Sequence, residues 1–149
     1  MLTPTRKKTI ISKVILDASA LLALIKNEPG ASTVEDLLGQ IVMSTLSLME
    51  VATTLLQSDM TLQECEECLL PLISQLISFD TSHALLTASL TKQVKDKDLT
   101  LEARACLALG IKMNLPIYTA NQEWSELKIT GIDISLIPYK QLVFNGLKR

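Results

Sequence analysis

Apolar residues in this chain fall into short unbroken runs, separated by longer stretches where they recur every three or four positions. The runs are Val14-Ile15-Leu16, Ile41-Val42-Met43, Leu76 to Phe79, Pro116 to Thr119 and Ile132 to Ile137. A short apolar run without alternation reads as a strand buried on both faces, the kind found in parallel sheets. The stretches between them read as helices. Ala18 to Lys26 is closed by the turn residues Asn27-Glu28-Pro29-Gly30, and Ala31 to about Gln40 follows. A third helix begins near Leu46 and runs to about Gln57. Thr61 with Glu64 three residues on predicts a capping box for the next, whose face carries Glu64, Glu66 and Glu67 and which Pro71 kinks or splits. Asp80 opens a helix reaching about Val94. Thr100 caps another over Leu101 to Met113, with Asn114 as its C-cap, and a short helix starts near Trp124. Helices alternating with short strands predict an α/β fold, helices covering a central parallel sheet.

The first run has one further property. Val14-Ile15-Leu16 leads straight into Asp17, then into the small helix-competent segment Ala18-Ser19-Ala20-Leu21-Leu22. The carboxyl ends of strands are where open α/β sheets bind ligands. Asp17 therefore stands where a metal-binding or catalytic carboxylate belongs, although an aspartate there also serves simply as an N-cap.

Composition narrows the class. With 149 residues, 48% hydrophobic and 20% charged, the chain suits one globular domain with a full core. No internal repeat or linker divides it. Aromatics make up 3%, which argues against nucleic-acid binding by base stacking. A net charge of -2 means that any nucleic-acid contact relies on a local basic patch; Lys92, Lys95, Lys97 and Arg104 are the candidates. Cys65 and Cys68 form a CxxC without a second pair, and the lone His83 does not complete a zinc site, so a reduced, cytoplasmic setting fits best. No apolar run is long enough to span a membrane. Residues 1–13, with Arg6, Lys7, Lys8 and Lys13, read as a flexible basic arm or the remnant of an upstream start. Residues 14–138 form the domain, and 139–149 a tail.

Four segments in order carry a family resemblance. Val14 to Leu24 followed by Glu28-Pro29-Gly30 resembles the opening of PIN domains, VapC-type toxins in particular. Glu50 in Leu48-Met49-Glu50-Val51 stands at the second acidic position. Arg104-Ala105-Cys106-Leu107-Ala108-Leu109 is similar to the core of the third motif, and Leu115 to Ala120 with Trp124 to the fourth. The resemblance implies a three-layer α/β/α sandwich and a Mg²⁺- or Mn²⁺-dependent endoribonuclease acting on tRNA or rRNA. It also implies a homodimer paired with a cognate antitoxin. Hard cations want oxygen ligands, which carboxylates supply.

The chain departs from the family at two acidic positions. Ala103 stands where the third motif has aspartate, and Asn121 where the fourth has it. Asp17 and Glu50 are the strongest catalytic and metal candidates, joined by Asn121 through its amide oxygen. Glu102 compensates if its longer side chain folds back from the first helical turn; otherwise it only complements the helix dipole. Glu123 is a solvated residue at the rim. Two functions follow: a metal-dependent ribonuclease toxin, or a catalytically inactive PIN domain that binds antitoxin or RNA. Part of the leucine-rich early helical surface would serve a dimer or an antitoxin.

Overall fold

A computed structural model describes residues 12–95 and 97–139. Among these, five strands form one all-parallel sheet: β1 Val14–Leu16, β2 Ile41–Ser44, β3 Gln75–Ile77, β4 Ile117–Thr119 and β5 Ile134–Leu136. The helices are α1 Ala18–Ile25, α2 Ala31–Glu35, α3 Thr45–Leu56, α4 Leu62–Leu69, α5 Thr81–Ser89 and α6 Leu101–Met113. The fold is the expected α/β sandwich around a parallel sheet. Most of the expected basic arm and of the C-terminal tail lies outside the described residues.

The strand order is β3-β2-β1-β4-β5. The chain moves outward from β1 to β3, then returns to lay β4 on the other side of β1. That reversal opens a crevice at the carboxyl ends of β1 and β4, where α/β sheets place their ligands. Strand pleating divides the unbroken run of β1 between two cores. Val14 and Leu16 pack with residues of α1, α3 and α4, such as Leu21, Val51 and Leu69. Ile15 packs on the other face with Leu107, Leu109 and Ile117. Burial on both faces holds for β1 and β2. The edge strands β3 and β5 are only partly buried, with Leu76 and Leu136 showing surface, because an edge strand has neighbours on one side only.

The capping signals formed as read. Thr61 and Glu64 make both bonds of a capping box, Asp80 and Thr100 cap α5 and α6, and Asn114 ends α6 in the left-handed region at φ 52°. Three elements differ from expectation. The second helix stops at Glu35, ahead of a turn in which Gly39 takes φ +92°. The fifth gives way to the 3-10 turn Leu90–Lys92, and the segment at Trp124 is a 3-10 helix, Gln122–Glu126. Pro71 sits in a 3-10 turn that ends α4.

Gly30 joins the start of the domain to its end. A Cβ built there would lie 2.5 Å from Ile137 Cδ1 and 2.7 Å from the backbone oxygen of Pro138. Backbone cannot swing aside as a side-chain tip can. Gly30→Ala should therefore destabilise the fold by about 1–3 kcal/mol through overpacking. Thermal unfolding should show a Tm drop of several degrees, and an unchanged Tm would mean that this contact yields freely.

Candidate functional site

Asp17 follows β1 directly and caps α1, so its side chain lies in the crevice between β1 and β4. It is 3% exposed, which for a carboxylate demands donors. Thr119, the last residue of β4, donates its hydroxyl to Oδ2 over 2.7 Å, and the Ala20 N–H donates to Oδ1 over 3.0 Å. Ser19 Oγ lies 2.8 and 2.9 Å from the two oxygens. A hydroxyl has one hydrogen, so Ser19 fills one lone pair and a fourth remains available. The Ala120 N–H donates to Ser19 Oγ and the Asn121 N–H to Thr119 Oγ1, which ties the exit of β4 to the same cluster.

Glu102, in the first turn of α6, does fold back toward Asp17. Its Oε1 accepts the Ser47 hydroxyl over 2.7 Å and the backbone N–H of Ala18 over 3.1 Å. That N–H belongs to the first turn of α1 and has no partner within its own helix. Ser47 lies in the first turn of α3, itself capped by Ser44. One carboxylate thus bridges the beginnings of three helices.

The electrostatics follow from burial. Asp17 is raised from 3.8 to about 6 by desolvation. Hydrogen bonds from Thr119, Ala20 and Ser19 oppose the rise, and the charge of Glu50 adds to it. Glu102 is raised from 4.5 to about 7, first by desolvation and then by the charge of Asp17. Glu50, half-buried on α3, adds repulsion to both carboxylates. Cys106 lies behind the site, fully buried, its thiol pushed well up by burial and by the same carboxylates.

The other sequence candidates are placed differently. Asn121 caps the 3-10 helix Gln122–Glu126, its Oδ1 accepting from the Glu123 N–H over 3.1 Å. Ala103 is buried in the apolar cluster under α6. Arg104 is half-buried, Lys92 and Lys95 are exposed, and exposed Lys97 pairs with Glu126 at 3.4 Å. Glu123 is exposed, as read. Cys65, Cys68 and Cys106 are free thiols. Sequence reasoning assigned no part to the hydroxyls of Ser19, Ser47 and Thr119. The only hint was their spacing, with Ser19 two residues after Asp17 and Thr119 at the end of an apolar run.

Among the described residues, no three His, Cys, Asp or Glu side chains converge closely enough to cage a metal by themselves. The donor set nevertheless fits a hard cation. Asp17 keeps one lone pair, Glu102 Oε2 takes no protein donor, and Glu50 is partly open to water. Mg²⁺ commonly takes one or two carboxylates and retains several waters.

The family model for the PIN domain matches residues 14–129, so this chain belongs to the PIN domain family. Its fold is shared with chains of solved complexes of low identity. A toxin-antitoxin complex from Klebsiella pneumoniae aligns at TM-score 0.63 and 18% identity, covering 80% of this chain and 95% of that one. DNA-bound VapBC from Salmonella typhimurium aligns at 0.63 and 16%, covering 84% and 98%. VapBC2 from Rickettsia felis, bound to a promoter DNA fragment, aligns at 0.64 and 16%, also covering 84% and 98%. No curated protein matches the sequence.

The raised carboxylates make stability depend on pH. Between about pH 4 and 7 the folded state holds protons on Asp17 and Glu102 that the unfolded chain has released. Stability therefore falls as pH rises through that window. In chelator, urea midpoints should be lower at pH 8 than at pH 5, and Glu102→Gln should flatten the difference. A midpoint that climbs over this range would contradict the electrostatic picture.

Proposed function

We propose that this chain is a divalent-metal-dependent endoribonuclease of the VapC toxin type, acting in the cytoplasm and held in check by a cognate antitoxin. The observation that carries the reading is the return of Glu102 to the side of Asp17. It supplies from one position earlier the carboxylate that Ala103 lacks. Asp17 and Glu102 would hold the cation, Mg²⁺ or Mn²⁺, with Glu50 reaching it through retained water. Asn121 stays a weaker member, because its amide oxygen is engaged in its own cap. When bound, the cation supplies Lewis-acid neutralisation of charge developing on the scissile phosphodiester. The residues of the chain do the rest. Thr119, Ser19 and the Ala20 N–H fix the orientation of Asp17. Ser47 and the Ala18 N–H hold Glu102 extended toward it, and the apolar floor under α6 excludes water from below.

RNA cleavage in Mg²⁺, in Mn²⁺ and in chelator tests this directly. Metal should support cleavage and chelator should stop it. Asp17→Asn or Glu102→Gly should each cost about 100-fold, the equivalent of roughly 3 kcal/mol of transition-state stabilisation. If the parent folds and cuts no RNA in either metal, the inactive binding-module reading replaces this one.

The antitoxin belongs to the same reading, supported by the solved complexes that share the fold, as does a homodimer. Suitable surface exists. Leu48, Ala52, Leu62, Cys65, Leu69 and Leu70 line an apolar groove of about 320 Å³ between α3 and α4, beside exposed Met49. A stable contact should bury upwards of about 1,000 Å². Sedimentation of the antitoxin-free chain at micromolar concentrations should show a dimer; a monomer throughout would remove it.

A further inference from the structure

Two thiols stand close together on α4, remote from the carboxylates and unused by them. Cys65 lines the apolar groove between α3 and α4 and is 2% exposed; Cys68, three residues on, is half-buried. Both are free. Residues three apart on an α-helix are neighbours on one face, with Cβ atoms roughly 5–6 Å apart. The nearness shows in the acidity of Cys65. Burial pushes its thiol up, and charge on Cys68 and on Glu66 adds to the rise. The third cysteine, Cys106, belongs to the core cluster on the other face of the sheet and takes no part.

A disulfide needs Cβ atoms about 3.5–4.5 Å apart, so a regular helix must yield before this pair can close. The end of α4 is placed to yield. The helix stops at Leu69, one residue past Cys68, and passes into the 3-10 turn Leu70–Leu72. Pro71 has no N–H to give the Glu67 carbonyl, so a hydrogen bond of the last turn is missing. The first turn, by contrast, is locked by the capping box of Thr61 and Glu64. Closing the bond therefore draws in the end of the helix and leaves its start in place. Leu69 and Leu70 move with that end, and both line the groove. Strain of this kind makes a disulfide easy to reduce, which suits a reversible bond and not a structural one.

We propose that Cys65 and Cys68 are an oxidation site, closing to a reversible disulfide at the expense of a small-molecule disulfide and so reshaping the α3–α4 groove. The more open Cys68 thiolate attacks one sulfur of the small disulfide, forming a mixed disulfide and releasing one small thiolate. The Cys65 thiolate then attacks Cys68 Sγ and releases the second. Two electrons pass to the small disulfide, which leaves as two thiols carrying the protons that the cysteines gave up. The second step quickens with rising pH, because the Cys65 thiol is hard to ionise. The use of the groove as a contact surface rests on the antitoxin and dimer reading above; the bond itself does not.

Oxidised glutathione added to the intact, folded chain, followed by mass, tests it. The chain should lose two hydrogens, retain no glutathione, and return to its starting mass in dithiothreitol. Cys68→Ser should abolish the change. Cys65→Ala should stop at a stable glutathione adduct on Cys68, which separates the attacking thiol from the resolving one. Cys68 is partly open, so Cys68→Ser keeps the test decisive even if Cys65→Ala fails to fold. In the oxidised chain, amide exchange at Leu69 and Leu70 should quicken by about tenfold or more, while that of α1 stays as it was. No loss of mass even at mildly alkaline pH would overturn the site. So would a glutathione adduct that persists in the parent, a bond between two chains, or one that includes Cys106. A bond that closes and leaves exchange at Leu69 and Leu70 unchanged overturns the reshaping of the groove. A chain that closes the bond and speeds that exchange, yet cuts no RNA, keeps this site and loses the ribonuclease reading.

Discussion

A buried carboxylate at the reversal of the sheet is the constraint on which this structure depends. Asp17 is almost wholly removed from water, and a charge in that position persists only with donors around it. Those donors come from both sides of the crevice: Ala20 and Ser19 on α1, Thr119 at the end of β4. The hydroxyls are themselves acceptors for the next two backbone N–H groups after β4. The site is therefore not laid on a finished scaffold. The hydrogen bonds that hold the carboxylate also join the first strand of the chain to the fourth.

Glu102 answers a second constraint, that helix beginnings leave N–H groups without partners. Its carboxylate takes the free N–H of Ala18 and the hydroxyl of Ser47, and so joins α6 to α1 and α3. This placement sets two carboxylates in a poorly solvated space; burial pushes both up, the charge of Asp17 adds to the rise of Glu102, and the charge of Glu50 adds to both. Repulsion of this kind is a reservoir that a bound cation discharges, which is why crowded carboxylates mark metal sites more often than structural ones. Ala103, the next residue, turns away from this bridge and buries its methyl in the core.

The two faces of the first helical turn of α6 differ in chemistry. One face carries Glu102 toward Asp17; the other carries Arg104 toward the loop of Lys95 and Lys97. The acidic and the basic groups are kept apart by the body of the helix. They therefore do not neutralise one another, as they would on a single surface.

Much of this was legible in the residues. Unbroken apolar runs located every strand, because a parallel sheet buries both faces of its inner strands. Cap residues such as Thr61, Asp80, Thr100 and Asn114 marked helix ends, because capping is a local bond between neighbours in the chain. Asp17 was visible as a candidate from its place at the end of a run, and Glu50 from the likeness of its surroundings to a family motif. Helix lengths were less legible. The short second helix and the 3-10 turn Leu90–Lys92 depend on how the chain must turn to reach the next strand. Only the tertiary structure decided what surrounds the carboxylate. The strand order sets Thr119 against Asp17 across 102 positions, and a side-chain rotamer carries Glu102 to Ala18 across 84. Contacts at such separation leave no periodic trace in a sequence, since any residue of the right chemistry at the right point in space will serve. The caps were written in the chain itself; the cluster around Asp17 exists only because the sheet reverses direction at β1.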